Sequence, residues 1–382
     1  MTTRPAGRDL RLDFFRGLGL VFIFLDHVPD NWISYLTLAN VAFCDAAEIF
    51  RFVSGYSAAM VFGRLAEREG WLFAGAQAAR RTWLLYVAHV FLFMIFLAQV
   101  AYAARRLDDP MFAEELKVAS FLDEPGTAVL MALSLRLQPL FMNILPLYIL
   151  LLLALALLLP ALGRFLGPVL IVALALWASV QAFGFNLPAY PDGLWFFNPF
   201  AWQLMFMVGA AYGYAGNVAR ARPAWLRGPP VPVSAAFLAL CVAGKLALTF
   251  GTMFELVPAW LHDAAWRIAD KTNLGPLRVL NFLALAHVTV ALVPADAAWL
   301  ASRWARPLVR CGQHSLEVFC FGIFLSVAGH AILTEWGHGW GPESAVSASG
   351  IAAMFALAQF LSWSKRRERP APLAARQSGG DA

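Results

Sequence analysis

The sequence predicts an all-α, polytopic membrane protein, a bundle of about ten transmembrane helices with both termini cytoplasmic. Three observations predict it. Hydrophobic residues make up 60% of the 382 and charged ones 14%, against about 25% charged in a soluble domain. Mean hydropathy is +0.64, and the apolar runs are long and unbroken, unlike the alternation of a membrane β-barrel. Lys and Arg collect in alternate loops. Such a composition excludes a disordered chain, a fibrous chain and an ordinary soluble enzyme.

A spanning helix takes about 20 mostly apolar residues, and ten segments qualify. The first, 10–28, carries Asp13 and Arg16 and lacks a small-residue cleavage site after it, so it reads as a span rather than a signal peptide. The second, 45–63, opens on Asp45 and Glu48, and its Ser54-Gly55 marks close helix packing. The third, 82–103, follows Arg80 and Arg81. Segment 104–139 is richer in charge and is expected to form interfacial helices. The fourth, 140–159, is the most uniformly apolar, and the fifth is 165–184. The sixth (198–216), seventh (231–250), eighth (277–294), ninth (309–333) and tenth (345–363) complete one membrane domain, 1–364. The basic, then Pro/Ala/Gly-rich 365–382 is expected to be a disordered cytoplasmic tail.

With the N-terminus inside, nineteen Lys and Arg fall on the cytoplasmic side and seven outside. The bias supports an even number of spans. Topology therefore explains the net charge of +5, and no nucleic-acid partner is expected. Cys44, Cys241, Cys311 and Cys320 have no ligand-like spacing and read as small apolar residues, with no metal site.

Charges deep in spans cost about 2.5–3.5 kcal/mol each on insertion scales, which makes them functional candidates. Arg16 and His27 are eleven residues apart on the first span. Eleven steps of 100° leave them about 20° apart on one face and about 16 Å apart along the axis. Arg16 thus lies toward the cytoplasm and His27 toward the outer face. Asp13, three residues before Arg16, can pair with it. Asp45 and Glu48 reach the level of His27 from the second span, with Arg51 one step further in. Two readings stand: Glu48 and Arg51 neutralise each other within the helix, or Glu48 or Asp45 orients His27 as a general base. Arg136, Gln138 and Asn143 flank the outer end of the fourth span, Asn198, Trp202 and Gln203 that of the sixth, and Lys271, Arg278 and Asn281 that of the eighth. His314, Ser315 and Glu317 lie at the inner end of the ninth. Interfacial anchoring and substrate contact are both open for these.

Arg16, ten residues and His27 together resemble the Arg-x10-His signature of family 3 membrane acyltransferases. EIFRFVSGYSAA is similar to that superfamily's second span. With LQPLFMNILPLY, FNPFAWQ, KTNLGPLR and GQHSLEVF in order, residues 8–363 resemble the OpgC branch, succinyltransferases for osmoregulated periplasmic glucans. Arg51 stands where an apolar residue is expected.

The resemblance implies acyl transfer across a bacterial inner membrane, with no permanently bound cofactor. An acyl-CoA, succinyl-CoA by the family, is the donor from the cytoplasm, and a periplasmic glucan hydroxyl is the acceptor. Besides these and the bilayer, glucan synthesis proteins are expected partners. His27 is the implied base or acyl carrier, supported by Glu48, Asp26 and Asp45. Arg16, Asp13, Arg51, Ser315 and Glu317 are assigned to the acyl-CoA. Arg136, Gln138, Asn143, Gln203, Lys271 and Arg278 are assigned to the acceptor or to the carboxylate of a succinyl group. O-acetylation of another envelope polysaccharide, a transporter, and a structural partner of a glucan synthase are the competing readings.

Overall fold

The computed structural model describes residues 9–107, 114, 116–220, 223–253 and 257–367. Part of the expected interfacial segment (108–113 and 115) and most of the expected tail (368–382) lie outside the described residues. Thirteen helices of eight residues or more follow one another among the described residues. They are α1 (Leu10–Asp26), α2 (Ala46–Glu69), α3 (Trp71–Leu107), α4 (Pro125–Leu133), α5 (Ile144–Arg164), α6 (Leu166–Phe183) and α7 (Pro199–Asn217). Then come α8 (Val231–Met253), α9 (Ala259–Ile268), α10 (Pro276–Leu292), α11 (Arg306–Gln313), α12 (Ser315–Trp336) and α13 (Trp340–Arg367).

Six of these are long and apolar enough to cross a membrane: α3, α5, α6, α8, α12 and α13. Three of the six, α6, α8 and α13, bury only 11%, 17% and 22% of their apolar window inside the protein. In these three, hydropathy marks helices whose side chains face outward. The more polar helix α2 lies in the interior of the bundle. Helix α2 packs against α1, α3, α5 and α7, and there its charged side chains find protein partners instead of lipid.

The centre of the bundle is the α2–α7 pair. Gly209 and Gly213, one turn apart on α7, lie against the backbone carbonyls of Phe52 and Tyr56 on α2, and Gly55 lies against that of Phe206. No side chain fits between, which is the close packing that Ser54-Gly55 signals. Helix α1 meets α11 the same way, with Gly17 on the Leu308 carbonyl and Gly312 on that of Asp13.

Two expected spans have different limits. The third begins at Trp71 rather than 82, because Arg80 and Arg81 continue one unbroken helix of 37 residues. The ninth is two helices, broken where His314 adopts φ −114°, ψ 39° between α11 and α12. Segment 104–139 holds short helices, Ala119–Asp123 and α4. The four cysteines are free thiols.

Candidate active site

Local sequence places the acidic residues. Asp45 caps α2 through a reciprocal capping box: its Oδ1 accepts from Ala47 N at 2.7 Å, and Glu48 Oε2 accepts from Asp45 N at 2.8 Å. That fixes both carboxylates at the start of α2, where α10 delivers Arg278. Its Nε donates to Glu48 Oε1 at 2.6 Å and its Nη2 to Asp45 Oδ2 at 3.0 Å. Lys271 adds an ion pair to Asp45 Oδ2 at 2.7 Å. Two carboxylates and two cations close a neutral cluster whose Glu48 is fully buried.

The loop that carries Lys271 is held by α6 and α7. Trp202 Nε1 donates to the carbonyls of Lys271 and Thr272, Asn198 Nδ2 to Asn273 Oδ1, and Trp177 Nε1 to the Leu274 carbonyl. The segments FNPFAWQ and KTNLGPLR therefore form one structural unit, the clamp that positions Lys271 and the start of α10.

These partners correct the expected pairings. Glu48 bonds Arg278 and makes neither an ion pair with Arg51 nor a hydrogen bond to His27. Asp45 is likewise paired with Arg278 and Lys271. Asp26 accepts from Thr37 Oγ1 at 2.6 Å, so it too makes no hydrogen bond to His27. Lys271 and Arg278, assigned to a substrate carboxylate, hold the protein's own carboxylates instead. For Asp45 and Glu48 the physical reason is shared: buried carboxylates recruit nearby cations, and these come from α10 and the loop before it, more than 220 residues along the chain.

His27 sits at the C-terminal cap of α1. Its ring stacks on Phe141 with centroids 4.2 Å apart and planes at 27°. Its Nδ1 is buried and makes no hydrogen bond.

The second feature is a cavity of about 590 Å³ between α1, α2, α3, α5 and α12. Its polar lining is Arg16, Arg51, Ser54, Ser57, Gln77, Arg81, Tyr148 and Ser315. Along α2 it extends from Phe50 to Leu65, about 22 Å at 1.5 Å per residue. One end is rimmed by Phe73 and Arg81, both exposed. At the other, Arg51 is 1% exposed. Arg16 reaches across to α2, where its Nη2 donates to Ser57 Oγ at 2.8 Å. Arg51 Nη2 donates to the Ile144 carbonyl at 3.0 Å, and its guanidinium stacks over Phe197 at 5.6 Å. Ile144 lines the cavity three residues from Phe141, so a short stretch of chain links the Arg51 end to the ring on which His27 stacks.

The remaining assigned residues separate. Ser315 lines the cavity, whereas Glu317 lies 3.9 Å from Lys365. Buried Asp13 accepts from Gln313 Nε2 at 3.4 Å, at the α1–α11 contact. Gln203 donates to the carbonyls of Ala173 and Phe200, and Gln138 to that of Leu135. Those amide Nε2 groups thus make bonds within the fold. Arg136 is exposed and Asn143 caps α5 without a side-chain bond.

A family model, described as OpgC protein, matches residues 8–366. The chain belongs to the OpgC family. Comparison with curated proteins finds no match. OpgC membership makes the chain a membrane-associated acyltransferase acting on glucan. Reading the residues alone left out Ser54, Ser57, Gln77, Arg81, Tyr148 and Phe141 as site residues. The one signal was the run Ser54-Gly-Tyr-Ser57 inside an apolar span, which also reads as packing.

Proposed function

We propose that the chain moves a succinyl group from cytoplasmic succinyl-CoA to hydroxyls of a periplasmic glucan, spanning the bacterial inner membrane ten times with both termini inside. The arginine-lined cavity carries this reading. Its lining residue Ile144 is three residues along the chain from Phe141, on which His27 stacks, and its length is comparable with an extended pantetheine arm.

In this reading the coenzyme's phosphates stay at the open end, where Arg81 and Gln77 donate to them. Arg16, held by Ser57, lies along the arm. The thioester reaches the far end near His27. There His27 takes the proton of a glucan hydroxyl and the oxygen attacks the thioester carbonyl. The tetrahedral intermediate collapses, the ester forms, and the coenzyme thiolate leaves and takes the proton back from the imidazolium. The hydrophobic helix interior keeps water from the thioester.

Inverted membrane vesicles test it. Glucan is sealed in the lumen and labelled succinyl-CoA is added to the bath. Label appears as ester on lumenal glucan with the wild type and not with His27→Ala of equal abundance and monodispersity. Unlabelled glucan in both overturns the reading.

A further inference from the structure

Arg51 is a fully buried cavity cation that no carboxylate of the described residues pairs with. Glu48 is one turn away on the same helix and Asp45 caps it, yet both are paired with Lys271 and Arg278. Among the described residues no carboxylate lies within ion-pair distance of Arg51. Its contacts are a carbonyl and an aromatic ring, and its Nε is buried with no hydrogen-bond partner. The Phe197 ring takes Arg51 at 5.6 Å and Lys271 at 5.9 Å, standing as a shared aromatic wall between the cavity and the ion cluster.

A guanidinium buried to 1% exposure without a directly paired carboxylate is costly. Its free Nε–H belongs to the fork that matches a carboxylate, and the cavity it lines gives an anion room to reach it. Tyr148 and Ser54 line the same end and can donate further hydrogen bonds.

We infer that Arg51 is the specificity-determining residue of the donor site, binding the free carboxylate of a dicarboxylic acyl group at the closed end of the cavity. The inference rests on the donor reading above and sharpens it. It also relocates the recognition expected of Lys271 and Arg278 to a residue on α2. A neutral acyl chain of the same length fills the space but leaves the buried charge unanswered. The site therefore rejects it by the unpaired group it leaves behind rather than by size.

Binding without any acceptor tests this. Succinyl-CoA and butyryl-CoA have matched chain lengths and differ by the carboxylate. Their Kd values are measured by calorimetry on detergent-purified wild type, Arg51→Lys and Arg51→Gln. The wild type is expected to favour succinyl-CoA by on the order of a hundredfold, the size associated with truncating one side of a buried charge pair. Arg51→Gln abolishes that preference and leaves butyryl-CoA within about threefold. Arg51→Lys keeps part of the preference, because the charge remains and the fork is lost. Equal loss of both donors in a monodisperse Arg51→Gln, or an unchanged ratio, overturns the inference. If Arg51→Gln does not fold, equal Kd values for the two donors in the wild type overturn it just as well. Failure of both donors to bind the wild type overturns the donor reading, and this inference with it. Equal binding overturns the inference alone.

Discussion

Removing Arg278 tests whether the ion cluster, rather than hydrophobic packing alone, holds the start of α2 against α10. In Arg278→Gln, Asp45 retains Lys271 at 2.7 Å and its own bond from Ala47 N. Glu48, 0% exposed, keeps only the backbone amide of Asp45. The variant thus strands one buried carboxylate, which costs about 3–5 kcal/mol. Replacing both partners, Glu48→Gln with Arg278→Gln, removes the charge and lets two amides pair, so most of the loss returns. The expected coupling between the two sites is about 2–3 kcal/mol. Denaturant unfolding in a fixed detergent, followed by circular dichroism, measures the four corners of the cycle. Arg278→Gln within about 1 kcal/mol of wild type refutes the reasoning, and so does a double variant as unstable as the worse single one.

Three further outcomes follow from the same geometry. Gly213→Leu drives a side chain into the Tyr56 carbonyl, and fluorescence-detected gel filtration should show loss of the monodisperse peak, as overpacking of this contact costs more than about 3 kcal/mol. Gln203→Leu removes the bridge to the Ala173 carbonyl; stability falls by about 0.5–1.5 kcal/mol in the same unfolding assay while glucan acylation is unchanged, which separates it from substrate contacts. Phe141→Ala frees the His27 ring, so turnover drops about tenfold with the donor's KM little altered, because a misplaced base slows proton transfer and leaves the cavity intact.

Much of the fold is legible in the sequence because lipid-facing helices must be apolar along their length. Segments 165–184 and 231–250 match α6 and α8 within a few residues for that reason. Interior helices obey a different rule. Helix α2 carries Glu48 through the bundle because a partner, Arg278, meets its cost, and that partner is remote in sequence. Spacing put His27, Arg16 and the acidic pair at plausible depths, yet could not show that Arg278 reaches across 230 positions to Glu48. Nor could it show that Arg51 is left without a directly paired carboxylate. The break at His314 has no Pro to mark it. The loop at 270–275 looks like a polar turn until Asn198 and Trp202 are seen holding it.

The most direct test of the account is the mass of the glucans made by a strain lacking the endogenous gene and complemented with wild type or His27→Ala at matched, monodisperse levels. The account predicts succinyl-sized additions on periplasmic glucan with the wild type and none with His27→Ala. Equal acylation by both contradicts the placement of the active site at His27, and unmodified glucan from both contradicts the transfer itself.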